Sequence, residues 1–292
     1  MHRRSATRQA GAPWVLSGLP RKEQYYRLER DSWEGYSEMT SRERVQRIVA
    51  GEGADRSAFW MGNPHTDTWR IYFAHFGVDN EEALRQCLHD DFGWITPEDG
   101  AYRHPERKPM WDCHRAGPEL SAAGVFADCE DPDAVEAFEW PNPDYLDFAP
   151  ALEQLRHAGD YYRASGFWCP FFHIVADAFG VEQYFLKMYT APEVVEAVTR
   201  RVCAFYLEAN ARFFEAANDM VDGFFFGNDF GTQQDLLVSE PLFDQFVMPW
   251  FRRFTEQGHA YGYQVLLHSC GSIHRVIDRL IDAGVEALHP LQ

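Results

Sequence analysis

From residue 41 onward, short apolar runs alternate with longer stretches in which apolar residues return every three or four positions. The longer pattern is that of a helix with one buried face. It predicts helices over 42–50, 66–76, 81–89, 149–157, 175–189, 192–217, 241–258 and 272–283. Thr40 or Ser41 stands where the first of them needs a cap. The short runs predict strands at 58–61, within 162–172, and at 222–226, 265–269 and 286–289. Apolar strands separated by helices imply a parallel sheet covered on both faces, as in barrels and doubly wound folds, with ligand groups at the carboxyl ends of the strands. Residues 100–142, rich in Pro, Asp and aromatics, keep neither period and are expected to form an excursion over the mouth of the sheet. The last predicted strand ends "ALHPLQ" with no helix after it, so the fold is expected to be incomplete at its C-terminus.

Composition narrows the function classes. The 292 residues are 46% hydrophobic and 15% aromatic, enough for a large core. A formal charge of −18 opposes attraction to phosphate backbones and anionic lipid, so neither nucleic acid nor a membrane is an expected partner. No apolar run approaches the ~20 residues of a membrane span. Cys87, Cys113, Cys129, Cys169, Cys203 and Cys270 form no CxxC pair and read as reduced thiols of a cytoplasmic protein. The first 22 residues carry five basic residues and no acid, a composition shared with organellar transit peptides. Residues 1–38 are read instead as a disordered or mis-assigned tail, with Met39 a natural start and 39–292 the folded domain.

Three stretches carry candidate chemistry. In "LLHSCG", His268 and Cys270 are two apart at a strand end, so their side chains share a face while Ser269 points oppositely. Imidazole and thiolate are zinc donors, and a catalytic zinc takes three protein ligands and keeps one position open. A third thiolate would come from upstream, for example Cys169, or from beyond Gln292. The plainer reading is a buried cysteine beside a hydrogen-bonded histidine. In "FFFGNDFGTQ", Asn228 and Asp229 follow an apolar strand, the position from which barrels present acids and amides to substrate, and equally that of a turn or cap. In "HDDFGW", Asp91 is a candidate inward-facing carboxylate, and Trp60 and His65 are candidate pocket-lining residues near the first predicted strand. Phosphate-cradling loops, a GxSxG elbow and an HExxH helix are all absent, which removes support for nucleotide chemistry and serine hydrolysis.

The stretches "SRERVQRIVAGEGADR", "GNDFGTQQDLLVSEPLFDQFVMPWFRRF" and "LLHSCGSIHRVIDRLIDAGVEALHPLQ" resemble the uroporphyrinogen decarboxylase superfamily, over almost the whole chain beyond its tail. The resemblance implies a (β/α)8 barrel of TIM type, here incomplete. It also implies a choice between true decarboxylases and zinc-dependent, cobalamin-linked methyltransferases. Decarboxylases of this kind carry an arginine-rich RQAGR element after the first strand, because a polycarboxylate substrate needs cations. Here that place reads "FWMGNPHTDTW", and the "RQAG" at Arg8 to Gly11 lies in the tail, far too early. The methyltransferase branch, with its HxC pair and later Cys, is the better match. It implies zinc on His268 and Cys270, with a further thiolate beyond Gln292. Asp229 would act at the catalytic centre, and Asn228, Asp91, Trp60 and His65 would contact substrate. A thiol-type acceptor would take a methyl group from a corrinoid carried by a partner protein. Decarboxylation of uroporphyrinogen is the second reading, and a non-catalytic binding barrel or inactive fragment the third.

Overall fold

The computed structural model describes residues 39–290 apart from 98–100, 114–115, 118 and 120–121. The tail assigned to residues 1–38 lies outside the described residues. The chain divides into two compact units, one containing Pro64–Cys87 and the other Met39–Asn63 with the chain from Leu88 onward. In the first, helices α2 (Thr66–Phe76) and α3 (Glu81–Cys87) form a pair, and Gly77 ends α2 in the left-handed conformation at φ 67°.

The second unit carries the sheet. Strands β1 (Phe92–Trp94), β2 (Tyr162–Ser165), β3 (Gly223–Gly227), β4 (Gln264–His268) and β5 (Ala287–His289) are all parallel and lie side by side in chain order. Sequential order without reversal is the topology of a barrel rather than a doubly wound sheet. The fold is therefore α/β, an incomplete TIM-type barrel. Side-chain alternation sorts each strand between two cores. Phe224, Phe226, Val265 and Leu267 face the helices, chiefly α8 (Pro192–Ala217) and α10 (Met248–Ala260). Phe225 and Leu266 face inward, with Phe92, Tyr162 and Ala164, against Trp60, Trp94 and Trp168. Both faces are thus apolar, as a parallel sheet requires.

Several expected elements match closely, and the differences have local causes. The helix expected over 175–189 is two, α6 (Phe171–Phe179) and α7 (Val181–Thr190), because Gly180 takes φ 81° between them. The helix expected over 241–258 is also two, α9 (Glu240–Phe246) and α10, since Pro249 lacks the N–H that a continuous helix would use and sits in the first turn of α10. The segment expected over 272–283 opens as a 3₁₀ turn, His274–Val276, before α11 (Ile277–Asp282). The strand expected at 58–61 is not in the sheet. One backbone bond, Asp91 N–H to Phe59 O at 2.8 Å, links it to the residues before β1. Two of its own N–H groups, those of Phe59 and Met61, donate to the carboxylates of Asp91 and Asp90 rather than to a neighbouring strand. Instead of crossing the mouth, the described part of 100–142 packs on the helical layer. Trp111 Nε1 donates to Tyr206 on α8, Phe126 N donates to Ala178 O on α6, and the short helix α4 (Pro132–Glu136) places Glu136 on Arg200 and Arg201 of α8.

Helix α1 (Ser41–Val49), capped by Thr40 whose hydroxyl accepts from Glu43 N, lays Val45 and Val49 on the inner core. Its position is set by ion pairs. Buried Arg44 donates from Nη1 to Asp91 at 2.7 Å and from Nε and Nη2 to Asp55 at 2.6 and 2.7 Å. Asp91, 0% exposed, also accepts from Ser41, from both Nη atoms of Arg56 and from Phe59 N. Burial alone would raise the Asp91 pKa, but Arg56, the Phe59 N–H and Ser41 outweigh it and hold it below the usual range. The hydrogen bonds from Arg44 hold Asp55 well below that range.

Carboxylates with depressed folded pKa values stabilise above their unfolded pKa near ~4, and that contribution is lost as pH falls toward the folded values. Asp91→Asn should therefore cost about 3 kcal/mol at neutral pH, because Arg44 and Arg56 lose a buried partner. The variant should also lose less stability than the parent between about pH 4 and 2, as read by urea denaturation across pH.

Candidate metal centre

The candidate site stands at the carboxyl ends of β3 and β4. The two strands pair to their last residues, with Gly227 opposite His268. The pairing continues one step further, since Asn228 N donates to His268 O at 3.0 Å. Asp229 is thereby carried to Cys270, whose N–H donates to Asp229 Oδ1 at 2.8 Å. His268 Nε2 lies 3.4 Å from the same carboxylate oxygen and 3.3 Å from Cys270 Sγ. Ligand atoms of Asp229, His268 and Cys270 all lie within 4.8 Å of one another, the one such group among the described residues. The face parity read from "LLHSCG" holds: Leu266 and His268 face inward, while buried Ser269 turns away and accepts from Phe230 N through Oγ.

Two glycines make this approach possible. At Gly271, φ is 87° and a Cβ would stand 2.2 Å from Gly231 O, so the loops after β3 and β4 run backbone against backbone. Ser272 N donates to Thr232 O at 2.7 Å across the same contact. At Gly227 a Cβ would stand 2.0 Å from the Trp168 ring. The indole fills that space and lies 5.2 Å from the His268 ring and 5.0 Å from Trp94.

Further histidines join the cluster that sequence reading did not single out. His289, at the end of β5, places Nδ1 3.0 Å from His268 Nδ1, and His173 on α6 accepts from Asp229 N at 3.0 Å through Nε2. The signal for His289 was its place at the end of a predicted strand; nothing periodic marks His173. Burial lowers the His268 pKa against the opposing pull of Asp229, and burial together with His268 lowers that of His289. The Cys270 thiol is pushed up, first by burial and then by the Asp229 charge. Without a cation the centre therefore holds neutral imidazoles and a thiol. With one, it offers a nitrogen, a sulfur and a carboxylate oxygen.

The remaining candidates are placed differently. Trp60 belongs to the inner aromatic wall and packs at 4.9 Å on the His289 ring. Asp91 has its carboxylate occupied by Arg44, Arg56, Ser41 and Phe59 N, so it is a structural anchor and not a substrate contact. Asn228 is buried and uses both ends of its amide on backbone: Oδ1 accepts from Phe172 N and Nδ2 donates to Cys169 O, both at 2.9 Å. It fixes the loop after β2 rather than a substrate. His65, in the other unit, caps α2 by accepting from Asp67 N and has a side chain 76% exposed. Cys169 is buried, with Sγ bonded to Phe167 O and Asn210 Nδ2, and does not join the donor group.

The model of the uroporphyrinogen decarboxylase (URO-D) family matches residues 119–290, more than half of the chain and the whole of the donor cluster. The chain belongs to the uroporphyrinogen decarboxylase family. This member is also similar in structure to a methyltransferase from Methanosarcina mazei, with a TM-score of 0.53 at 16% identity, over 86% of this chain and 76% of that one. At that identity the likeness speaks for the fold. No curated protein matches the chain. No helix among the described residues is long and apolar enough to cross a membrane.

Gly227→Ala should displace Trp168 and cost about 1–3 kcal/mol. A red-shifted tryptophan emission and a lower urea midpoint would register this. Gly93→Ala, whose Cβ would meet only ordinary contacts at 3.6 Å, should leave both unchanged.

Proposed function

We propose that this family member is a zinc-dependent methyltransferase that moves a methyl group from a corrinoid to a thiol-type acceptor. The observation that carries the reading is the convergence of Asp229, His268 and Cys270 within 4.8 Å at the strand ends. An imidazole, a thiol and a carboxylate are the donor types of catalytic zinc, and three protein ligands leave a position for substrate. The Asp229 carboxylate set against a thiol favours a cation there, since the Cys270 thiolate and the carboxylate would otherwise repel. Residues 58–69 contain no arginine, which tells against a polycarboxylate substrate.

Zinc bound there would lower the pKa of an acceptor thiol and hold it as a thiolate. The protein's own part is orientation and exclusion of water. Asp229 fixes the Cys270 backbone, and Trp60, Trp94 and Trp168 form an apolar wall beside the two histidines. The corrinoid would supply the methyl group as an electrophile and keep the electron pair of its cobalt–carbon bond, while the acceptor sulfur would gain the methyl group and release its thiol proton to solvent. The corrinoid would arrive on a partner protein docking at the strand ends. The second reading, decarboxylation of uroporphyrinogen, draws on the family match.

Protein purified without chelators should contain about one zinc per chain, with His268→Ala and Cys270→Ala each removing most of it. Binding of zinc to the stripped protein at neutral pH should release about one proton, largely from Cys270, and affinity should fall as pH falls. The loaded protein should methylate a small thiol from methylcobalamin, followed by loss of the free thiol. Uroporphyrinogen consumption by a zinc-free protein would favour the second reading.

A further inference from the structure

The contact between His268 and His289 carries a role beyond packing. The β4–β5 ladder sets the two residues opposite one another, and Ser269 N donates to His289 O at 2.9 Å. The His289 ring is held from its other sides by Trp60 at 4.9 Å and Phe225 at 6.1 Å between centroids. Its Nδ1 then lies 3.0 Å from His268 Nδ1. At that distance one nitrogen carries the hydrogen and the other the lone pair. Two arrangements exist. If His289 donates, His268 bears its hydrogen on Nε2, the atom that faces Asp229 and Cys270, and cannot offer that atom to a metal. If His268 donates, its Nε2 lone pair points at the other two donors.

We infer that His289 is a positioning residue that accepts the Nδ1 hydrogen of His268 and so directs the His268 Nε2 lone pair toward Asp229 and Cys270. The 3.0 Å contact between the rings stands by itself, but its direction rests on the zinc reading above, since Asp229 Oδ1, 3.4 Å from His268 Nε2, would equally accept an Nε2 hydrogen. Ligand histidines are ordinarily held by a partner on the second ring nitrogen, and here an imidazole on the adjacent strand takes the place of a carboxylate or carbonyl. In the metal-free protein the same arrangement lets the Cys270 thiol donate to His268 Nε2 across 3.3 Å.

The test compares zinc affinity, by competition with a chromophoric chelator, in the full chain and in His289→Ala, His289→Phe and His289→Asn. Alanine and phenylalanine should each weaken binding about 10–100-fold. Asparagine, whose carbonyl oxygen can accept the same hydrogen, should restore most of it. Phenylalanine keeps the aromatic packing without an acceptor, so binding equal to that of asparagine would overturn the inference. Parent-like affinity in all three variants would do so too. Nitrogen-15 shifts of His268 in the metal-free protein give a readout that needs no zinc. The parent should show the Nδ1–H form, lost in His289→Phe, and an Nε2–H form in the parent would refute the assignment. If the parent takes no zinc, the reading of the preceding section fails while the nitrogen shifts still decide this one.

Discussion

The hydrogen bond from Cys270 N to Asp229 depends on a single constraint, the parallel pairing of β3 with β4 through to their final residues. A shift of one residue in that register would turn His268 away from the inner core and move Asp229 off Cys270. Apolar packing on both faces resists such a shift. Phe224, Phe226, Val265 and Leu267 are fixed against the helices, while Phe225 and Leu266 are fixed in the inner core. The donor cluster is therefore a product of the sheet rather than of its own loops, and the Gly231–Gly271 contact continues the constraint past the strand ends.

The two ends of the sheet are held by different physics. At the amino end, α1 is anchored by buried, fully paired charges, Arg44 with Asp55 and Asp91. At the carboxyl end a carboxylate, a thiol and paired imidazoles face an aromatic wall, with Asp229 the charge acting on His268 and Cys270. Paired charge at the base favours rigidity. Polar groups that still have lone pairs to offer at the mouth favour ligation.

Much of this was legible in the chain. The alternation of "YQVLLHSC" put His268 and Cys270 on one face, and the apolar "GFFFG" followed by Asp229 put the acid at a strand end. Helices α2, α5 (Ala149–His157) and α8 match the expected bounds because their apolar period runs unbroken between clear stop signals. What escaped was set by tertiary structure. Strand β1 has only three residues, too few for a period. Asp91 and Asp229 look alike in sequence, both acids beside an aromatic. One follows its strand and meets donors that could share a metal, whereas the other precedes its strand and meets two arginines. His289 becomes a partner of His268 only through the β4–β5 register.

The central claim is that Asp229, His268 and Cys270 bind one zinc ion together. X-ray absorption at the zinc edge, on protein loaded with one equivalent, tests it most directly. The account predicts a sulfur at about 2.3 Å with nitrogen and oxygen neighbours at about 2.0–2.2 Å, and a change in the sulfur shell in Cys270→Ser. A shell of nitrogen and oxygen alone, or one that Cys270→Ser leaves untouched, would contradict it.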